Sequence, residues 1–175
     1  MQQDSTSHTL APSKTALFTS LVDQLSERVY WVVRKMVLVH EDANDVTQEV
    51  FLKVWRNLDK FKGESTHSTW VHRIAVNESL NFLDKKKRRL STSSFNEHLF
   101  SELKADVYFD GDEQVLKLHK ALLTLPEKQR LVFNLKYFED KKYSEIAEIT
   151  QTSEGALKAS YHLAVKKIKA ILEHE

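Results

Sequence analysis

Apolar residues recur at intervals of three and four along most of this 175-residue chain, and very little interrupts them. Leu17, Leu21, Leu25, Val29, Val32, Val33 and Met36 make one stripe; Val46, Val50, Val54 and Leu58 make a second. Such spacing puts each set on one face of a helix, and that face needs an apolar partner. Breakers are scarce. Three glycines (Gly63, Gly111 and Gly155) and two prolines leave long stretches free to be helical. The pattern predicts an all-α chain.

Residues 1–15 are rich in Ser, Thr and Gln and read as a mobile tail. The first helix begins near Leu17. Asp42 is a candidate N-cap for a second helix reaching about Leu58. Asp59 to Ser68 holds Gly63 and small polar residues and reads as a loop. Ser68 can cap a third helix that carries Val71, Ile74, Ala75, Phe82 and Leu83 and runs into Lys85, Lys86, Lys87, Arg88 and Arg89. Residues 90–113 scatter apolar residues among Ser, Asp and Glu, with Asp110-Gly111-Asp112 as a turn signal. They read as an acidic linker between two small helical domains, 16–89 and 114–175. In the second domain Val115, Leu118, Leu122 and Leu125 form a stripe. Pro126 starts a helix to about Phe138, Tyr143 to Ile149 is a short helix, and Ser153 caps a last one to about Leu172.

Net charge is only +1, but a basic block, an acidic stretch and a basic last helix follow one another and cancel in the sum. The absence of cysteine excludes disulfides and thiolate metal sites and permits a reducing compartment. The start of the chain has no apolar core like that of a signal peptide, and no run approaches the roughly 20 apolar residues of a membrane helix. A soluble, cytoplasmic protein with no membrane insertion is expected. Eight histidines are present, but no His-Glu-x-x-His arrangement and no nucleophile–base set. The sequence predicts no metal, no cofactor and no catalysis.

The last two helices, joined by Gln151-Thr152-Ser153, have the dimensions of a helix-turn-helix. Leu157, Tyr161, Ala164, Ile168 and Leu172 make the stripe of the second, while Lys158, His162, Lys166 and Lys169 fall on another face. That face suits a major groove, or is plain solvated surface. Arg73, Asn77 and Asn81 are four apart and share a face of the third helix; amides suit base edges and are poor helix formers. Asp45 and Glu49 share a face of the second helix beside Gln48 and Lys53.

Three segments carry a resemblance: DANDVTQEVFLKVWRNL from Asp42, FKGESTHSTWVHRIAVNESLNFL from Phe61, and LPEKQRLVFNLKYFEDKKYSEIAEITQTSEGALKASYHLAVKKIKAIL from Leu125. In this order they closely resemble regions two and four of the extracytoplasmic-function (ECF) sigma factors of bacterial RNA polymerase. The resemblance covers about residues 17–89 and 114–173.

The resemblance implies a role for each part. The Asp45, Gln48, Glu49 and Lys53 face docks on a coiled coil of the largest polymerase subunit, and the second domain meets the polymerase flap. Phe61, Lys62, Gly63, Glu64, Ser65 and Thr66 form the loop that captures a flipped non-template base. Arg73, Asn77 and Asn81 meet the minus-ten element, with Lys85 to Arg89 as phosphate contacts. Ser153, Glu154, Lys158, Ala159, His162 and Lys166 lie at the minus-35 element. Ser160 and Leu163 stand where the family often has basic residues, which implies fewer ionic contacts or a different sequence read. The linker has a counterpart that threads polymerase near the RNA exit path. Partners implied are core polymerase, promoter DNA and an anti-sigma factor, for a chain that is monomeric when free and serves stress- or envelope-responsive genes. Two other readings stand beside this one. One is a helix-turn-helix regulator acting without polymerase; the other is an enzyme, against which the scattered histidines speak.

Overall fold

The computed structural model describes residues 13–90, 95–109 and 111–174, and every regular element among them is helical. Helix α1 spans Lys14–Val37. The Ser13 hydroxyl accepts from the Ala16 N–H and opens it. Leu38, at φ 71°, closes it with its N–H on the Arg34 carbonyl. Its first turn takes in two residues expected in the tail, whose residues 1–12 lie outside the described ones. Helix α2, His40–Asn57, starts before Asp42 and has no side-chain cap; the Asp42 carboxylate holds Lys86 instead. A 3-10 turn, Leu58–Lys60, leads to the loop. Helix α3, His67–Arg89, is capped by Thr66, whose hydroxyl accepts from the Thr69 N–H, and not by Ser68.

The α1, α2 and α3 stripes meet in one core. Val29, Val33, Val37, Val50, Val54, Val71, Ala75 and Leu83 are all fully enclosed there. Burial of that many branched side chains, each contributing about 1.5–3 kcal/mol, outweighs the modest helix propensity of valine.

The expected linker is largely structured. Phe95–Ala105 form helix α4, and Phe95, Leu99 and Leu103 face inward. Those three are four apart, a helical spacing masked by the polar residues between them. Two acids of this stretch are tied to basic groups of the N-terminal half. Arg34 meets Asp106 at 3.0 Å, and Lys86 meets Glu102 at 2.6 Å. Asp106 also accepts from the His40 N–H at 2.7 Å. Burial alone would raise the Asp106 carboxyl; the Tyr108 and His40 N–H groups and the Arg34 charge outweigh it and hold its pKa below the usual value. Residues 91–94 and Asp110, also part of the expected linker, lie outside the described residues.

Helix α5 spans Glu113–Leu123, with Asp112 capping the Gln114 and Val115 N–H groups and Gly111 at φ 72° before it. Helix α6, Glu127–Phe133, follows Pro126 and continues as a π turn over Asn134–Phe138. Helix α7 is Tyr143–Thr150. Gln151, at φ 53°, turns the chain, and Ser153 caps α8, Glu154–Glu173. Ala121, Leu122, Leu125, Phe133, Ala164 and Ile168 form a second core. Two expected stripe residues, Val115 and Leu172, are exposed instead; each lies in an end turn of its helix.

The two halves pack against each other. Ile146, Ile149 and Leu157 belong to the same buried cluster as the α1–α3 core. Asn134 Nδ2 donates to the Lys35 carbonyl at 3.0 Å, and Lys35 meets Glu139 at 2.5 Å.

Candidate nucleic-acid and polymerase interface

The loop after α2 is built on aromatic contacts. The Phe61 ring lies 4.3 Å from that of His67 and 5.2 Å from that of Trp70, centre to centre. Trp70 is half-buried and packs against the main core beneath the loop, as an amphipathic ring at a surface does. Lys62, Gly63, Glu64 and Thr66 are exposed, and Ser65 is half-buried. Gly63 has φ 72° with open space beside it, so its backbone can be approached closely.

Helix α3, which follows this loop, presents Asn77 and Asn81 to solvent. Arg73, on the same face, does not point free: its guanidinium donates to the Glu148 carbonyl. Asn81 Nδ2 donates to Glu78 at 3.3 Å, and the same carboxylate takes Lys53 at 2.5 Å. Lys53 is therefore bound to α3 and does not stand with the exposed trio Asp45, Gln48 and Glu49. Asp45, Glu49, Glu78, Asn81 and Lys85 line one shallow cleft of about 110 Å³, so the acidic face of α2 adjoins the amide face of α3.

The basic block is divided. Lys85, Arg88 and Arg89 are exposed. Lys86 is half-buried between Asp42 and Glu102. Burial alone would lower its ammonium, but the two carboxylates outweigh this and raise its pKa. Lys87 lies 3.9 Å from Glu127 of α6. The sequence could not show that Glu102 folds back on this block.

On α8, Lys158, Ala159, His162 and Lys166 are all exposed, while Leu157, Ala164 and Ile168 are buried. Glu154 pairs with Lys158 at 3.5 Å, and Lys158 also lies 5.6 Å from the Tyr143 ring centre. Ser160 is half-buried, and Leu163 is exposed. Sequence patterning missed a further feature: Trp31, Leu52 and Trp55 are exposed on α1 and α2, off the buried stripes. Large apolar residues out of phase with a stripe are the only signal that marks them. Among the described residues no group of three or more His, Asp or Glu could hold a metal, and no helix is long and apolar enough to cross a membrane.

Residues 21–89 match the family model of Sigma-70 region 2, and residues 116–168 match that of Sigma-70, region 4. The chain is 29% identical over 163 residues to the RNA polymerase sigma factor SigV of Bacillus subtilis, covering 93% of this chain and 95% of SigV. It is 29% identical over 157 residues to the ECF RNA polymerase sigma-E factor of Escherichia coli, covering 81% and 79%. Its fold is similar to that of the sigma factor RpoE from Bartonella quintana, solved with the anti-sigma factor NepR, at TM-score 0.67 and 20% identity over 89% of this chain and 96% of that one. It is also similar to CnrH, solved with the cytosolic domain of CnrY, at TM-score 0.65 and 20% identity over 90% and 88%. With both conserved regions in order and relatives matched over most of their length, the chain belongs to the ECF-type RNA polymerase sigma factors, non-enzymatic subunits that direct polymerase to promoters.

Proposed function

We propose that this chain works through three separate surfaces. Asp45, Gln48 and Glu49 dock on core polymerase. The Phe61–Thr66 loop with Asn77 and Asn81 reads and opens the minus-ten element. The exposed face of α8, through Ser153, Glu154, Lys158, Ala159, His162 and Lys166, reads the minus-35 element. The observation that carries this reading is the cleft where the α2 acids adjoin the α3 amides. Docking and strand capture need neighbouring surfaces on one rigid body, and three helices sharing one core supply it. Extracting a base costs a few kcal/mol of stacking and pairing, which the loop's polar groups and the aromatic wall of Phe61 would offset.

Arg73 and Lys86 act differently from the rest. Both are occupied within the chain: Arg73 reaches DNA only after the two halves separate on polymerase, and Lys86 only after Asp42 and Glu102 release it. Lys85, Arg88 and Arg89 supply phosphate contacts from the outset, with Lys87 beside them. The free chain is monomeric and cytoplasmic and serves stress- or envelope-responsive genes. An anti-sigma factor that covers these surfaces holds it inactive. The two similar folds were each solved with a bound partner, named an anti-sigma factor in one case, which supports a partner of that kind here.

Run-off transcription across a promoter library tests the reading. Core polymerase with this chain should yield transcripts that neither makes alone. A stable complex with polymerase that never gives a chain-dependent transcript would overturn it. Affinity capture from uninduced cells tests the regulation: a partner other than polymerase subunits is expected, and recovery of polymerase alone would assign control to expression level.

A further inference from the structure

A cleft of about 570 Å³ opens between the end of α3, the start of α4, the α5–α6 corner and α8. Among the described residues its lining holds four cationic side chains, Lys87, Lys128, Arg130 and Lys167, against one carboxylate, Glu127. Arg130 is the unusual member. It is only 3% exposed, yet it forms no ion pair among the described residues, and its Nε is buried without a hydrogen-bond partner. Buried guanidinium groups are normally matched by an anion, because desolvation of an unpaired charge is severely unfavourable. Its one nearby acid, Glu127, is shared with Lys87 at 3.9 Å. Burial accordingly pulls the Arg130 pKa below the usual arginine value, with only Glu127 opposing. Lys167 spends one of three donors on the Thr124 carbonyl at 2.7 Å, and Lys128 is exposed at the rim. Phe95, Leu125 and Pro126 add apolar wall.

We propose that this cleft is a binding site for a small phosphate-bearing anion, a polyphosphate group free or on a nucleotide. Four convergent cations against one carboxylate among the described residues suit a ligand carrying two or more negative charges, and guanidinium matches phosphate geometry in particular. The volume lies within the range of ordinary small-ligand sites. Lys87 belongs to the N-terminal half and Lys128, Arg130 and Lys167 to the C-terminal half, so a bound anion bridges the two halves. It favours the packed arrangement in which Arg73 is held by Glu148.

Calorimetric titration of the full chain with pyrophosphate at low salt tests this. Saturable one-to-one binding is expected, weakening as salt is raised. The Lys128→Gln/Lys167→Gln double variant should bind at least about tenfold more weakly, since each removes a charge-assisted donor. Lys104→Gln, an exposed change away from the cleft, should bind as the parent does. The double variant alters rim residues, so its fold, checked by circular dichroism, survives even if Arg130→Gln does not fold. Parallel titrations with tripolyphosphate and ATP separate the sources: tighter binding of ATP assigns the apolar wall to a base, and equal binding assigns the site to the polyphosphate alone. On pyrophosphate addition, amide exchange in α7 should slow. Absence of saturation at millimolar pyrophosphate would overturn the proposal, as would equal losses in the Lys104→Gln control. Loss of affinity for promoter duplex in the double variant, without any pyrophosphate binding, would make the cleft a DNA contact instead. Unchanged α7 exchange in the bound state would overturn the bridging.

Discussion

The Arg73 guanidinium donates twice to the Glu148 carbonyl, at 3.2 Å from Nε and 2.7 Å from Nη2, and so joins α3 to the end of α7. One of the residues proposed to face the minus-ten element is thus engaged by the half proposed to read the minus-35 element. Arg73→Ala should weaken the packing of the halves by about 1 kcal/mol, the usual net value of a bond that solvent partly reaches. Faster amide exchange in α7, with exchange in α1 unchanged, is the signature to look for. Equal acceleration everywhere would mean that Arg73 supports the core as a whole.

The α4 segment was legible as residues but not as structure. Phe95, Leu99 and Leu103 carry helical spacing, yet Glu97, His98, Ser101 and Glu102 dilute the apolar signal. What fixes the helix is tertiary: Lys86 receives its Glu102, and Arg34 and His40 receive Asp106 just past its end, all far away in sequence. By contrast, α1, α2, α3 and α8 were legible because each stripe is continuous. Exposure of Asp45, Asn77, Asn81, Lys158 and His162 followed from those stripes. The withdrawal of Lys53, Arg73 and Lys86 did not, because it depends on which helices become neighbours. The Arg130 cleft was hidden for the same reason.

Leu99 is fully enclosed, so Leu99→Ala should leave a cavity and cost about 3 kcal/mol. A plain tether would lose nothing measurable. Urea unfolding followed by far-ultraviolet circular dichroism separates the two, and an unchanged midpoint would argue that α4 does not pack in solution.

His119 is half-buried beside α1, with its Nδ1 enclosed and unpartnered, and burial, aided by the Arg34 charge, lowers its pKa to about 4. The unfolded chain binds this proton near pH 6.5, so between about 4 and 6.5 it binds more protons than the folded chain. Stability from this group is complete above pH 6.5 and is lost as pH falls toward 4, by about 2 kcal/mol at pH 5. His119→Gln should flatten the stability profile between pH 7 and pH 5 relative to the parent. Asp106, whose pKa is held below the usual carboxylate value, titrates at lower pH and leaves that window undisturbed.

Asp45 and Glu49 are exposed and in no ion pair among the described residues, so reversing both charges should leave the fold unchanged. If they meet a basic helix of polymerase, the Asp45→Lys/Glu49→Lys variant should associate several-fold more slowly at low salt, with the difference shrinking as salt rises. Competition against a labelled sigma factor for core polymerase measures this. Unchanged affinity at low salt would show the face to be solvated surface.

The two DNA-facing helices should fail in different ways. Asn77 and Asn81 lie on the exposed face of the helix that follows the Phe61–Thr66 loop, so Asn77→Ala and Asn81→Ala should impair promoter opening. Lys158 and His162 lie on α8, so Lys158→Ala and His162→Ala should weaken recognition of the upstream element. A direct base contact is worth about 1–3 kcal/mol, so a loss beyond about tenfold marks a residue that touches a base. Lys158 already holds Glu154, so part of its charge is spent and its loss should fall at the low end. Lys166→Ala should act evenly across sequences and reduce the salt slope by about one unit, as a phosphate contact does. Abortive initiation on duplex and pre-melted promoters separates the sets. Pre-melting removes the cost of strand opening, so it should restore the asparagine variants to the extent that they act in melting, and leave the α8 variants impaired. Rescue of the α8 variants alone would exchange the two assignments. Parental behaviour of all four variants on both templates would return both helix faces to solvated surface.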